Sequence, residues 1–255
     1  MRMALPPHRG RVYAGADMTR QTRLLLILLS CLLAGLVHGG AGKSVAGGSP
    51  DPLAAIGWLG YGDVPKPDTA SCSGVLIAAD LVVTAAHCLV NAATGQTRDP
   101  VAITFAAGWA DGRAVDSARG AEVILPEPRI LLEGRLPYDL ALLRLARPLA
   151  AVTPLGMAPA PAPPGARLTT VAYPQHRPDH RERQDGCAIA LALPPVVGLD
   201  CRAVGGYSGG AVLIATPGGG WQLQAIMVAN ANHNPTIGAL ALTLPADLAA
   251  RLPAP

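Results

Sequence analysis

The chain of 255 residues is half hydrophobic and long enough for one or two domains with a sizeable buried core. Its 20 Lys and Arg exceed its 17 Asp and Glu, but residues 1–43 hold six of the basic groups and one acid, so the remainder carries fourteen against sixteen, net −2. That balance excludes a basic nucleic-acid-binding face as the organising feature of the chain.

The amino terminus has the layout of an export leader. Arg20 and Arg23 precede the apolar run Leu24 to Val37, and small residues follow at Gly39, Gly40, Ala41 and Gly42. The run is 14 residues long, whereas a membrane span needs about 20. Residues 1–43 are therefore read as a leader, with no stable membrane span expected after its removal. Met18 offers a second start with a more usual leader length. Cys31 lies within the apolar run, which continues past it, so lipidation there is not expected. The other four cysteines, Cys72, Cys88, Cys187 and Cys201, form an even set suited to an oxidising compartment, and four cysteines allow three pairings. A secreted or periplasmic destination follows.

Beyond the leader, short apolar runs alternate with Gly, Pro and Asp clusters. They are Ala55–Leu59, Gly74–Ile77, Leu81–Thr84, Val101–Phe105, Glu122–Leu125, Leu140–Leu145, Leu168–Ala172, Ala188–Leu193, Ala211–Ile214 and Gln222–Val228. Runs of this length between turn residues predict strands, hence an all-β fold. The Pro-dense segment 154–164 divides the chain into β-rich halves, because proline is excluded from central strands. The tail 245–252 is the one segment with a helical pattern.

Three short motifs carry chemistry. Ser208 sits between glycines in Gly205-Gly206-Tyr207-Ser208-Gly209-Gly210, ahead of an apolar run. An alkyl hydroxyl needs an imidazole base to act as a nucleophile, and the imidazole needs a carboxylate to orient it. His87 follows the run ending at Thr84, among small residues that leave room around the ring. The adjacent Cys88 offers a tether back to Cys72; a structural histidine is the plainer alternative. Asp139 stands at the mouth of the apolar run from Leu140 to Leu145, where a buried carboxylate requires a partner. That partner is an imidazole or, alternatively, Arg144 or Arg135.

In the order His, Asp, Ser these motifs resemble the chymotrypsin/trypsin-like serine peptidases. Thr84-Ala85-Ala86-His87-Cys88, Asp139-Leu140-Ala141-Leu142 and Gly206-Tyr207-Ser208-Gly209-Gly210 are similar to the family's three catalytic motifs, and Ser73–Ile77 and Leu223–Val228 extend the likeness. The resemblance implies two packed six-stranded antiparallel β-barrels with a short C-terminal helix. The first barrel, 44–153, would carry His87 and Asp139; the second, 165–255, would carry Ser208, with 154–164 as the connection. It implies a Ser-His-Asp endopeptidase acting through an acyl-enzyme on protein or peptide substrates, with the N–H groups of Gly206 and Ser208 as oxyanion hole. No cofactor or metal is expected, and a monomer is. It also implies that Arg202, Val228, Ala229 and Asn230 border the substrate pocket, and that Cys187 pairs with Cys201, as in some bacterial branches.

Several positions depart from the family pattern. Tyr207 replaces the aspartate that most members carry before the serine. In the zymogen-activated branch that aspartate pairs with a newly released amino terminus, and a phenol cannot supply its charge. Lys43-Ser44-Val45-Ala46-Gly47-Gly48 is similar to the activation junction, but without the aspartate a constitutively assembled site is expected. An arginine at 202 would favour acidic groups if it floored the pocket; an exposed Arg202 is the alternative. Trypsin-like cleavage is not expected. The segment His176–Asp185 places two histidines four apart, but Pro178 disfavours the helix that would align them for a metal, so a solvated loop is expected. His233 reads as a turn residue. A catalytically silent relative, using the cleft as a binding module, is the alternative function.

Overall fold

The computed structural model describes residues 51–91, 93–126, 136–163, 165–231, 233–245 and 248. The leader 1–43, the Lys43-Ser44 junction and most of the helix expected over 245–252 lie outside the described residues. The described part is built from twelve strands: β1 (Ile56–Tyr61), β2 (Ser71–Ala78), β3 (Leu81–Thr84), β4 (Ile103–Ala107), β5 (Asp116–Ile124), β6 (Ala141–Leu145), β7 (Arg167–Ala172), β8 (Glu182–Leu193), β9 (Val196–Leu199), β10 (Ala211–Ala215), β11 (Trp221–Asn230) and β12 (Ala239–Thr243). One short α-helix, α1 (Ala86–Leu89), follows β3.

The strands close into two antiparallel six-stranded barrels, ordered β1-β2-β3-β6-β5-β4 and β10-β11-β12-β9-β8-β7. Closure leaves neither sheet with an open edge. Val82 and Val83 of β3, Leu142 and Leu143 of β6 and Phe105 of β4 are fully buried and belong to one hydrophobic core. Each such side chain contributes about 1.5–3 kcal/mol by leaving water. Leu168, Val212, Ala225 and Ala241 are buried likewise in the core of the second barrel.

The Pro-rich connection crosses between the barrels by backbone hydrogen bonds: Leu155 N donates to Leu76 O at 2.9 Å, and Ala158 N to Leu223 O at 2.8 Å. Tyr173, fully buried just beyond β7, donates its hydroxyl to Trp109 O of the first barrel at 2.9 Å. Burial pushes that phenol up to about 12.

All ten predicted runs lie wholly or mainly in strands, with corrected ends. β5 starts at Asp116, six residues ahead of the predicted run, because its exposed polar side chains mask the alternation. β8 starts at Glu182, so the loop expected over His176–Asp185 ends at Arg181. Two strands were missed. Pro194 and Pro195 form a tight β8–β9 turn that hides β9, and β12 is alanine-rich, a composition of low strand propensity.

Candidate active site

Sheet register brings His87 and Asp139 together. Thr84, the last residue of β3, pairs with Ala141, the first of β6, so the chain leaving β3 and the chain entering β6 meet at one barrel end. His87 lies three residues past that pair, on α1, and Asp139 two residues before it. His87 N donates to Asp139 Oδ1 at 2.9 Å, and His87 Nδ1 lies 2.7 Å from Asp139 Oδ2. A carboxylate oxygen accepts, so the contact suits Nδ1 as the donor and directs Nε2 away from Asp139. Asp139 is 7% exposed, and the two bonds satisfy its buried carboxylate. Arg144, the alternative partner, pairs with Asp80 and Glu122. The Cys72–Cys88 disulfide ties the residue after His87 to β2.

Ser208 comes from the second barrel, three residues ahead of β10. Its turn is pinned from several sides. Ser73 of β2 is fully buried and spans the barrels: its N donates to Ser208 O at 2.8 Å, its Oγ donates to Gly206 O at 2.9 Å, and the same Oγ accepts from Tyr173 N at 2.8 Å. Gln175 N donates to Gly205 O at 2.8 Å, Gly209 N to Met227 O at 2.7 Å and Gly210 N to Tyr207 O at 2.8 Å. Gly206 has φ +93° and Gly209 φ +78°, and a Cβ on Gly206 would strike Tyr173 O and Gln175 N, while one on Gly209 would strike Thr84 and Ser73 O. No other residue fits at either position. Among the described residues, the N–H groups of Gly206 and Ser208 donate to no protein group.

His87 and Ser208 line one cleft of about 290 Å³, together with Cys72, Cys88, Gln175 and Gly206. Among the described residues no hydrogen bond joins the Ser208 hydroxyl to the His87 ring; such bonds commonly tighten only when substrate binds. The sulfurs of Cys72 and Cys88 lie near the His87 ring, but they are joined in a disulfide and offer no thiolate for a metal.

A second recess of about 220 Å³ opens beside Ser208, bordered by Ala203, Val204, Tyr207, Met227, Val228, Ala229 and Asn230. Three of the four residues expected at the substrate pocket are therefore beside Ser208. Arg202 is not among them. It is exposed, its backbone N and O are held by the Gln184 side chain, and it borders two neighbouring recesses. Cys201, one residue before it, is joined to Cys187 on β8. His176 and His180 lie in turns rather than on a helix, with His180 Nε2 3.7 Å from the exposed Asp111. His233 is exposed.

Tyr207 is 4% exposed and donates its hydroxyl to Glu182 Oε2. Burial, reinforced by the Glu182 carboxylate, holds the phenol well above its ordinary value, so it remains a neutral donor. Glu182, Ser73 and Gln175 were not singled out from sequence. The buried Ser73, in the midst of a strand, was the one with a local signal, since a buried hydroxyl requires partners.

Two closed antiparallel barrels with a histidine–carboxylate pair and a glycine-flanked serine along one cleft define the architecture of chymotrypsin-like proteases. The family model described as trypsin-like peptidase domain matches residues 72–217, more than half of the chain. The chain belongs to the trypsin-like peptidase family, whose members act on protein substrates. Among solved structures it is similar to a Glu endopeptidase in complex with MPD, at TM-score 0.65 and 18% identity, covering 81% of this chain and 92% of that one. A thermostable serine protease from an extremophilic microorganism gives TM-score 0.61 at 17% identity, covering 78% and 95%. The protease Anisep from Arthrobacter nicotinovorans gives 0.57 at 20%, covering 75% and 90%. At these identities the likeness shows the fold. No curated protein matches the chain significantly by sequence.

Proposed function

We propose that the protein is an exported serine endopeptidase that cleaves peptide bonds through His87, Asp139 and Ser208. The observation that carries this reading is the ordered pair His87 Nδ1–Asp139 Oδ2, at 2.7 Å, lining the same cleft as Ser208. Ser208 Oγ attacks the scissile carbonyl carbon while His87 Nε2 takes its proton. Asp139 keeps the proton on Nδ1 and stabilises the imidazolium that forms. The N–H groups of Gly206 and Ser208 bind the developing oxyanion, and His87 then protonates the leaving amine. Water, deprotonated by His87, hydrolyses the acyl-enzyme and restores Ser208. Among the described residues neither N–H has a protein acceptor, which supports their role.

The recess bordered by Val228, Ala229 and Asn230 receives the side chain on the acyl side of the cleaved bond. Among the described residues no Lys, Arg, Asp, Glu or His lines it, so a charged substrate side chain would be desolvated there without a counter-ion. Uncharged residues of small to medium size fit it best. The chain is divided into a leader 1–43, a first barrel 44–153, a connection 154–164 and a second barrel 165–255, and acts as a monomer. Two disulfides support export to a secreted or periplasmic location.

The silent binding-module reading draws on the missing bond between Ser208 and His87. A serine-directed phosphonate separates the two: labelling of the wild type that is lost in Ser208→Ala and His87→Ala supports the peptidase, and a folded wild type that takes no label leaves the binding module.

A further inference from the structure

We propose that Glu182 is the positioning residue that keeps the Gly205–Ser208 turn assembled, acting through the phenol of Tyr207. This rests on the reading of Ser208 as nucleophile and of the Gly206 and Ser208 N–H groups as oxyanion donors. Four successive residues of the turn are tied down: Gly205 O by Gln175 N, Gly206 O by Ser73 Oγ, the Tyr207 hydroxyl by Glu182, and Ser208 O by Ser73 N. Three of these ties hold carbonyls. Only the phenol gives the turn a side-chain lever, and it belongs to the residue whose peptide carries the Ser208 N–H.

The far end of that lever is itself fixed. Glu182 is the first residue of β8 and pairs with Ala172, the last of β7, so its backbone belongs to the barrel wall. Its Oε1 accepts from Arg177 Nη2 at 2.9 Å, which leaves Oε2 facing the phenol. Arg177 is 60% exposed, and an ion pair in that setting adds little stability; what it supplies is orientation of the carboxylate. Remove the carboxylate, and a hydroxyl in a side chain only 4% exposed has lost its acceptor. A buried phenol without a partner is driven towards water, and a shift of the ring strains the backbone that carries it, where Tyr207 O accepts from Gly210 N at 2.8 Å and Tyr207 N donates to Val204 O at 3.1 Å. The latch lies wholly within the second barrel.

The test uses the full mature protein in the wild-type, Glu182→Ala, Glu182→Gln and Glu182→Asp forms. Phosphonate labelling of the wild type comes first; its failure would sink the peptidase reading, independently of the latch. On labelled-competent protein, kcat and KM for a peptide ester and the inhibition constant of a peptide aldehyde, whose hemiacetal oxygen mimics the oxyanion, are then measured. Deleting an oxyanion donor outright costs about 100- to 1000-fold, so displacing one predicts a kcat loss on the order of 10- to 100-fold in Glu182→Ala. KM should stay within about twofold, and the aldehyde should weaken by the same factor as kcat. Glu182→Gln keeps an oxygen acceptor and should recover most of the loss. Should Glu182→Ala fail to fold by circular dichroism, Glu182→Asp, whose shorter side chain draws the acceptor back from the phenol, carries the same expectation. An unchanged kcat, a loss confined to KM, or equal losses in the Ala and Gln variants would overturn the proposal.

Discussion

Replacing Ser73 by alanine should damage both stability and turnover, because one buried hydroxyl serves two structures at once. Ser73 Oγ donates to Gly206 O at 2.9 Å and accepts from Tyr173 N at 2.8 Å, in a residue with no exposed surface. Truncation leaves a buried carbonyl and a buried N–H unpaired, at about 1–3 kcal/mol each where no water enters. A total of about 2–4 kcal/mol is reasonable, since part of the loss relaxes away. For a domain of this size 1 kcal/mol moves Tm by about 2–4 °C, so a fall of roughly 4–16 °C is expected in a thermal scan. Turnover should suffer separately, because Gly206 O belongs to the peptide that follows the Gly206 N–H. At a temperature where the variant is fully folded, kcat should fall by on the order of tenfold with little change in KM. The main-chain bond from Ser73 N to Ser208 O, which joins the two barrels, and the Thr84 side-chain bond from Oγ1 to Ser73 O both survive the substitution. A variant whose Tm and kcat both match the wild type would refute the bridging role.

Further outcomes follow from the same geometry. Asp139→Asn preserves shape but offers an amide to Nδ1, reversing the favoured tautomer; kcat should drop by about 10⁴-fold with KM nearly unchanged, measured on a peptide ester. In a library of peptides, cleavage should concentrate after uncharged small and medium residues, and strong preference for Lys, Arg or Glu would contradict the reading of the Asn230 recess. Asp116 is held below the ordinary carboxylate range, chiefly by its hydrogen bond from Arg147. With a folded value below 3.8, the unfolded chain takes up this proton first, so the stability Asp116 adds is present above about pH 4 and lost as pH falls further. Thermal scans from pH 7 to pH 2.5 should show a steeper acid decline in the wild type than in Asp116→Asn.

Much of this architecture is legible in the residues. Strongly apolar strands such as Leu81–Thr84 and Leu140–Leu145 announce themselves because both faces are buried in a closed barrel, and His87 and Asp139 stand just beyond the ends of those two. What joins them is register, the pairing of Thr84 with Ala141, which no local pattern records. Cys72 and Cys88 lie a strand pair apart and are bonded, whereas the bond between Cys187 and Cys201 rested on family likeness alone. β9 and β12 were hidden by prolines and alanines, whose burial is decided by neighbours rather than by their own propensity. Glu182 was invisible for a different reason. Its partner Tyr207 is 25 residues away in sequence, and only the closing of the second barrel brings the carboxylate beneath the phenol.

The central claim is that Ser208, activated by His87, is a nucleophile. Incubation of the folded mature protein with a serine-directed phosphonate, read by intact-protein mass spectrometry, tests it most directly. One equivalent should attach to the peptide containing Ser208, and none should attach in Ser208→Ala or His87→Ala. A folded wild type that takes no label, or a label that persists in Ser208→Ala, would contradict the account.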